Sequence, residues 1–227
     1  VIENAVKSGE VTMASLDEKV KKMLALKSRL GLLDKGYSPY VELDGIEERV
    51  VVQENLSLMQ QIAKNSMTVL FNDNSAGYGL PVTFEGKKVA YVGYKNPVLG
   101  REFGEIANRY GKVDTILLSN DASLAALKDA RNKLRNHDLI IMGFNETDQR
   151  PHKGYAINVE EVNFITDWAA EQPMIAVYLG SPYALTRIPG HKNFTAFVLG
   201  YINTQVNNFA AAQVVFGGVP AKGVLPV

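Results

Sequence analysis

Two kinds of hydrophobic pattern alternate along the chain from about residue 66 onward. Short continuous apolar runs are typical of strands buried on both faces, and apolar residues spaced three or four positions apart are typical of helices with one buried side. This alternation predicts an α/β fold, a doubly wound, mostly parallel sheet sandwiched by helices. The predicted strands are 67–71, 88–92, 113–118, 139–144, 174–179 and 195–199, and the predicted helices are 98–110, 123–135, 159–171 and 204–216.

The first 65 residues have a different pattern, which predicts an N-terminal helical lead-in. Ser15 and Glu18 have the spacing of a capping box at the start of a helix, and Gly31 is expected to end that helix. Residues 34–45 are rich in turn formers and predict a linker or a surface arm, and 46–65 predict a second long helix. The stripe expected to be buried on the first helix consists of Leu16, Val20, Met23, Leu24, Lys27 and Leu30.

Composition excludes several classes of protein. The chain has 227 residues, no cysteine, and 24 basic and 24 acidic side chains. Without cysteine there are no disulfides, thiolate zinc sites, iron–sulfur clusters or cysteine nucleophiles, and a net charge of zero disfavours a broad nucleic-acid surface. No apolar run approaches the ~20 residues of a membrane span. The composition is compatible with the cytoplasm, the periplasm or the cell exterior.

Motifs for common cofactors and nucleophiles are missing from the expected positions. The first complete turn from strand to helix, 93–100, lacks the glycine spacing of a dinucleotide site, and no phosphate-binding loop motif occurs. Ser181 lies in a Gly-Ser-Pro-Tyr turn that differs from the nucleophile elbow of hydrolases. His137, His152 and His191 have no metal-ligand spacing. The sequence therefore predicts no cofactor and no metal.

One loop after a predicted strand is unusually long and polar. Residues 145–155 contain acids, bases and a histidine, and long polar loops at strand ends often carry function or an interface. Glu146 and Asp148 are candidate catalytic residues, because a pair of carboxylates can act on a glycosidic bond. The alternative is a solvated loop whose charges balance one another.

Several segments, in the same order and with similar gaps, resemble the C-terminal domain of glycoside hydrolase family 3, which contains β-glucosidases and β-N-acetylglucosaminidases. The lead-in ends in Lys27-Ser28-Arg29-Leu30-Gly31-Leu32, and residues 62–72 resemble the family's "A-x-x-S-x-x-L-L-K-N", with Phe71 where Lys is usual. A strand followed by an acidic loop comes at 138–148. The other similar segments are Gly180-Ser181-Pro182-Tyr183 and the ending Phe216-Gly217-Gly218-Val219-Pro220 to Gly223-Val224-Leu225-Pro226-Val227.

The resemblance implies that this chain belongs to a larger enzyme with a barrel domain upstream. Residues 1–45 would then be the end of the barrel domain and a linker, and 46–227 the α/β sandwich domain. In the β-glucosidase branch a glutamate of the second domain is the catalytic acid/base, whereas the acetylglucosaminidase branch uses a His–Asp pair on a barrel loop. The lead-in and the 180–183 turn resemble the acetylglucosaminidase branch more. In that case the chain supplies no catalytic group and is inactive alone.

The resemblance also suggests partners for the polar loop. Arg150, His152 and Lys153 are expected to hydrogen-bond either a sugar or a loop of the barrel domain. The expected partners are the barrel domain of the same protein and, through the parent enzyme, a carbohydrate substrate, with no nucleic acid and no membrane span. Two alternatives remain, a flavodoxin-like module that binds a small ligand or carbohydrate at the switch point of its sheet, and a purely structural or interaction domain.

Overall fold

The chain divides into two compact units in a computed structural model that describes residues 1–225. The first unit is Val1–Val51, and the second begins at Val52. Pro226 and Val227, which end the last family-like segment, lie outside the described residues. The boundary between a barrel remnant and a sandwich domain, placed at residue 45 from the sequence, stays a prediction.

The first unit is helical, and its long helix is capped by a different residue from the one predicted. Thr12 precedes the long helix in an extended conformation, and its Oγ1 accepts a hydrogen bond from the Ser15 backbone N–H at 3.2 Å. The predicted capping box of Ser15 and Glu18 is therefore wrong, since the helix begins at Met13 and Glu18 pairs with Lys22 at 2.7 Å. Gly31, at φ +70°, follows the helix end as expected. The helices of this unit are α1 (Ile2–Lys7), α2 (Met13–Arg29) and α3 (Ile46–Val50).

The apolar stripe of α2 is not buried. Val20 is 47% exposed, Met23 55% and Leu24 47%, and no residue of α2 is buried. The prediction of a buried stripe is wrong for the part of the chain that the structure describes. Periodicity identifies which side of a helix is apolar, but it does not show that a covering surface is present.

The predicted helix at 46–65 is two helices. After α3 the chain passes through Val51 and Val52, and Val52 is extended at φ −91°, ψ 150° before the next helix begins. Three consecutive valines at 50–52 have low helix propensity, because a branched Cβ restricts the side chain against the preceding turn. The division between the two units falls at this break. The next helix is α4 (Gln53–Ser66).

The second unit is built on one six-stranded sheet within the described residues, with the order β1-β6-β5-β4-β2-β3. All neighbouring pairs are parallel except β1 with β6, which confirms the mostly parallel α/β prediction. The strands are β1 (Thr68–Asn72), β2 (Val89–Tyr94), β3 (Val113–Leu117), β4 (Leu139–Phe144), β5 (Met174–Tyr178) and β6 (Ala196–Leu199). The helices are α5 (Pro97–Ala107), α6 (Leu124–Leu134), α7 (Val159–Glu171) and α8 (Gln205–Val215).

Alternation along the buried strands divides the hydrophobic core between the two faces of the sheet. Successive side chains of a strand point to opposite faces. Tyr91, Ile141 and Val177 pack in a cluster with residues of α4, α5 and α8. Val92 and Met142 pack in a second cluster with residues of α6 and α7. Helices therefore cover both faces, which explains why the central strands are continuous apolar runs.

The winding of the sheet reverses beside β2. The chain runs from β2 outward to β3 and then returns past β2 to form β4 on its other side. The connecting helix α5 lies on one face, and α6 lies on the opposite face. Ligands of open α/β sheets bind beyond the carboxyl ends of the strands at such a reversal. The gap between the ends of β2 and β4, at Tyr94 and Phe144, is called the switch-point crevice below.

Adding a side chain at Gly143 is expected to destabilise the sheet. A Cβ there would lie 2.8 Å from Cε2 and 2.9 Å from Cζ of Tyr91, whose ring stacks on Phe103 with centroids 4.6 Å apart. Gly143→Ala should lower the free energy of unfolding by about 1–3 kcal/mol in chemical denaturation, as overpacking does. Gly36→Ala, where no atom lies within 4 Å of the new Cβ, is the control. Equal stabilities of the two variants would contradict the expectation.

Candidate functional site

The loop that leaves β2 makes a sharp turn at the switch-point crevice. Lys95 and Asn96 both have left-handed backbones, at φ 60° and φ 45°. Asn96 caps α5, because its Oδ1 accepts from the Leu99 N–H at 3.4 Å, and its own backbone N–H donates to Asn120 Oδ1 at 2.8 Å. Two consecutive non-glycine residues with left-handed backbones cost conformational energy, and this conformation persists only where neighbouring contacts hold it. The turn keeps the Lys95 ammonium over the Tyr94 ring, 5.1 Å from its centroid.

Lys95 joins carboxylates from two other elements. Its Nζ lies 3.2 Å from Oε2 of Glu161 and 3.6 Å from Oε2 of Glu146. The Lys95 side chain is 12% exposed and that of Glu161 9%, whereas that of Glu146 is 43% exposed. Glu161 lies in the first turn of α7, which Asn158 caps by accepting from the Glu160 and Glu161 N–H groups. The ion pair therefore ties the β2 loop to α7 and to the loop after β4.

Tyr94 completes the surroundings of Glu161. Its hydroxyl donates a hydrogen bond to Glu161 Oε2. Burial and the neighbouring Glu161 carboxylate raise the pKa of Tyr94, so the phenol stays neutral and remains a donor. A buried carboxylate is costly unless it is both paired and hydrogen-bonded, and Glu161 has both kinds of partner.

The loop after β4 begins at a buried amide. The Asn145 side chain donates from Nδ2 to the Tyr91 hydroxyl at 3.1 Å, and its backbone N–H donates to the Tyr94 carbonyl at 3.1 Å. Gly100 of α5 approaches so closely that a Cβ there would lie 2.8 Å from Asn145 Nδ2. Burial raises the pKa of Tyr91, which keeps its hydroxyl protonated. The start of the polar loop is thus fixed to the core of the sheet.

Asp148 and Arg150 satisfy each other. Arg150 donates from Nε to Oδ1 at 2.8 Å and from Nη2 to Oδ2 at 2.6 Å, and its backbone N–H donates to Oδ1 at 2.9 Å. The hydrogen bonds from the Arg150 side chain, followed by those from its backbone, hold the pKa of Asp148 well below its usual range. A carboxyl that stays ionised at neutral pH does not suit a general acid, so this geometry favours a positioning role in the loop for Asp148.

His152 and Lys153 lie farther along the same loop, in a 3₁₀ segment, Pro151–Ala156, and both are exposed. Within residues 1–225 neither side chain makes a hydrogen bond to another residue or an ion pair within 4 Å. Gly154, Tyr155 and Ala156 follow with left-handed backbones at φ 61°, 57° and 59°. This sharp bend leaves the two side chains facing outward, where a partner or ligand can reach them.

The structure places the five site residues predicted from the sequence on one loop, but their side chains have different contacts. Glu146 meets Lys95, Asp148 meets Arg150, and His152 and Lys153 face outward. Whether any of them touches a substrate stays a prediction. Lys95, Tyr94 and Glu161 are not among the site residues predicted from the sequence, although Lys95 directly follows a strand and carries a charge where the chain enters a βα turn.

The described residues contain no group of three or more histidine and acidic side chains placed to hold a metal ion. Over residues 1–225 no helix is both long enough and apolar enough to cross a membrane. Glu146 presents a half-exposed carboxylate at the crevice, and this carboxylate can accept hydrogen bonds from hydroxyl groups.

Solved structures share this fold over nearly the whole chain. A glycoside hydrolase family 3 β-N-acetylglucosaminidase from Paenibacillus sp. str. FPU-7 matches with a TM-score of 0.63 and 18% identity, over 98% of this chain and 41% of its own. The beta-glucoside phosphorylase BglX matches with a TM-score of 0.65 and 19% identity, over 99% of this chain and 40% of its own. A β-glucosidase from Listeria innocua in complex with glucose matches with a TM-score of 0.59 and 14% identity, over 96% of this chain and 32% of its own.

No protein-family model and no curated protein matches the chain. At these low identities the structural matches show the shared fold, which is that of one part of each of these larger chains. The chain spans less than half the length of the solved chains that it matches.

Removing the cation of the crevice is expected to destabilise the second unit. Lys95→Met should lower the free energy of unfolding by about 2–4 kcal/mol, because the buried Glu161 carboxylate loses its ion-pair partner. Lys133→Met breaks an exposed pair with Asp129 and should cost less than about 1 kcal/mol. Chemical denaturation followed by Trp168 fluorescence measures both variants. A cost for Lys95→Met no greater than for Lys133→Met would show that the buried pair contributes little.

Proposed function

We propose that this chain is the accessory C-terminal domain of a glycoside hydrolase that resembles a β-N-acetylglucosaminidase, and that it supports an active site on a barrel domain of the same protein. The observation that carries the proposal is the coverage of the structural matches. The fold spans 98% of this chain and 41% of a family 3 β-N-acetylglucosaminidase, and 96% of this chain and 32% of a β-glucosidase. The remaining length of those enzymes leaves room for a separate catalytic domain.

The acetylglucosaminidase branch is supported by the chemistry of the polar loop. A β-glucosidase-like arrangement would require a carboxyl of this domain to protonate the leaving group. Asp148 is held ionised by Arg150, which removes one of the two carboxyl candidates on the loop. The remaining candidate, Glu146, lies 3.6 Å from the Lys95 ammonium, in a contact that binds the loop to the rest of the domain.

The loop would act as a docking surface for the barrel. Its base is held by Asn145 and by the Lys95 ion pairs, and its outer part presents Arg150, His152 and Lys153. These side chains are placed to donate hydrogen bonds to carbonyl or carboxylate groups of a barrel loop. Contact with the sugar itself is the alternative for the same side chains.

The chemistry explains why the chain alone would be inactive. Hydrolysis with retention or inversion requires two groups at a fixed separation across the glycosidic bond, about 5–5.5 Å or about 6.5–9.5 Å. In the proposed arrangement the nucleophile belongs to the barrel. The α/β domain then contributes by covering the barrel and by fixing the position of its loops.

The purified 227-residue chain is therefore expected to give no turnover of a chromogenic β-N-acetylglucosaminide, whereas a longer protein that includes an upstream barrel should hydrolyse it. Release of the chromophore measures both. In the longer protein, Glu146→Gln and His152→Ala are compared with Glu160→Gln, an exposed control on α7. Lower stability with unchanged turnover per folded molecule supports docking, while loss of turnover at unchanged stability indicates contact with the substrate. Turnover by the 227-residue chain would refute the proposal.

A carbohydrate-binding module is the second candidate. The observation that favours it is the half-exposed Glu146 carboxylate, held at the switch-point crevice by the buried Lys95. Calorimetric titration of the chain with N-acetylglucosamine should then give saturable heat that Glu146→Gln reduces at least fivefold. Absence of heat with the unmodified chain would count against this candidate and leaves the docking role unaffected.

A further inference from the structure

A polar cavity lies at the end of the sheet opposite the switch-point crevice. It has a volume of about 430 Å³ and lies where β2, β3 and β4 begin. The charged side chains that line it are Lys87, Lys88, Lys112, Lys133, Asp114 and the ionisable His137. The lining has four lysines and one aspartate, and two further carboxylates lie beside it, since Asp129 pairs with Lys133 and Asp138 accepts from the Lys88 backbone N–H at 2.7 Å.

Two of the four lysines already have partners. Lys133 pairs with Asp129 at 2.7 Å, and the Lys87 ammonium donates to the Gly77 carbonyl. Lys133 also lies in the last turn of α6, where the helix dipole favours a cation. These two ammonium groups are therefore largely accounted for by the protein itself.

Lys88 and Lys112 differ from that pair. Within residues 1–225 neither ammonium has a carboxylate oxygen within 4 Å. Both lie near Asp114, and they help His137 to lower the pKa of that carboxyl. Asp114 is already bound by His137, with 2.9 Å between Nε2 and Oδ2. The cavity thus retains two cations with no close partner of their own in the described part of the chain.

His137 supplies an unsatisfied polar atom. Its side chain is 12% exposed, and Nε2 faces Asp114, but Nδ1 is buried and has no hydrogen-bond partner among the described residues. The backbone around the ring is fixed, since the His137 N–H donates to the Leu134 carbonyl at 2.9 Å and Gln172 Nε2 donates to the His137 carbonyl at 2.6 Å. With the Nε2–H group donating to Asp114, Nδ1 carries a lone pair and needs a hydrogen-bond donor such as an ordered water, so the groups that can contact an anion are the ammonium groups of Lys88 and Lys112.

We propose that this cavity binds a multiply charged oxyanion of the phosphate class. Lys88 and Lys112 supply the attracting charge, and the oxygens of the anion accept hydrogen bonds from their ammonium groups. The Asp114 carboxylate, which would repel the anion, is bound by His137. The proposal is independent of the glycosidase role, because the cavity is at the other edge of the sheet.

Titration of ¹⁵N-labelled chain with inorganic phosphate and with pyrophosphate, at an ionic strength held constant with potassium chloride, tests this site. Amide signals of Val89, Val113 and His137 should shift in a saturable way, and pyrophosphate should bind more tightly than phosphate. The double variant Lys88→Gln/Lys112→Gln should weaken pyrophosphate binding at least tenfold. Lys21→Gln/Lys192→Gln removes the same charge from exposed positions elsewhere and should change the affinity less than twofold. Asp114→Asn removes the opposing carboxylate and should tighten binding severalfold.

Three results would overturn the proposal. The first is a shift that does not saturate, or one that potassium chloride alone reproduces. The second is equal weakening by the two double variants, since that would reflect net charge only. The third is a set of shifts centred on the other basic concavity, which Lys128, Arg131 and Arg135 line.

Discussion

Burial of the sheet on both faces is the constraint on which the rest of the structure depends. Every residue of β2, β4, β5 and β6 is buried, and successive side chains enter hydrophobic clusters on opposite faces. Such strands have no face left for polar chemistry. Charged groups are therefore displaced to the ends of the strands, where Lys95 and Glu146 lie at one edge and Lys88 and Lys112 at the other.

The core also positions the polar loop directly. Tyr91 points into the cluster beneath α5, yet its hydroxyl accepts a hydrogen bond from Asn145 at the start of the loop after β4. Gly93 and Gly100 leave room for that amide, because a Cβ on either residue would lie within 3.2 Å of Asn145 Nδ2. The packing of Tyr91 in the core therefore fixes the position at which the loop begins. A change in the position of Tyr91 would move Asn145 and, with it, the start of the loop at the crevice.

The sequence predicted best what depends on local periodicity. The strand at 139–144 and the helix at 159–171 agree with β4 and α7 at both ends. It failed where the outcome depends on a covering surface or on competing propensities, as with the exposed stripe of α2 and the break at Val51 and Val52. The contact between Lys95 and Glu161 could not be predicted from the sequence for a different reason. It joins residues 66 positions apart and depends on the strand order, which hydrophobic periodicity does not encode.

The two edges of the sheet balance their charges differently, and this difference separates their proposed roles. At the carboxyl edge, Lys95 is shared between Glu161 and Glu146, and Asp148 is bound by Arg150, so these carboxylates are paired within the domain, while Lys153 faces outward. Paired carboxylates can be buried against another domain without leaving an unpaired acid, which suits docking better than proton transfer, and the outward Lys153 is available to a partner. At the amino edge, Lys88 and Lys112 have no close carboxylate in the described chain, and Asp114 is occupied by His137. Positive charge without an internal partner attracts an external anion, and the zero net charge of the whole chain conceals this asymmetry.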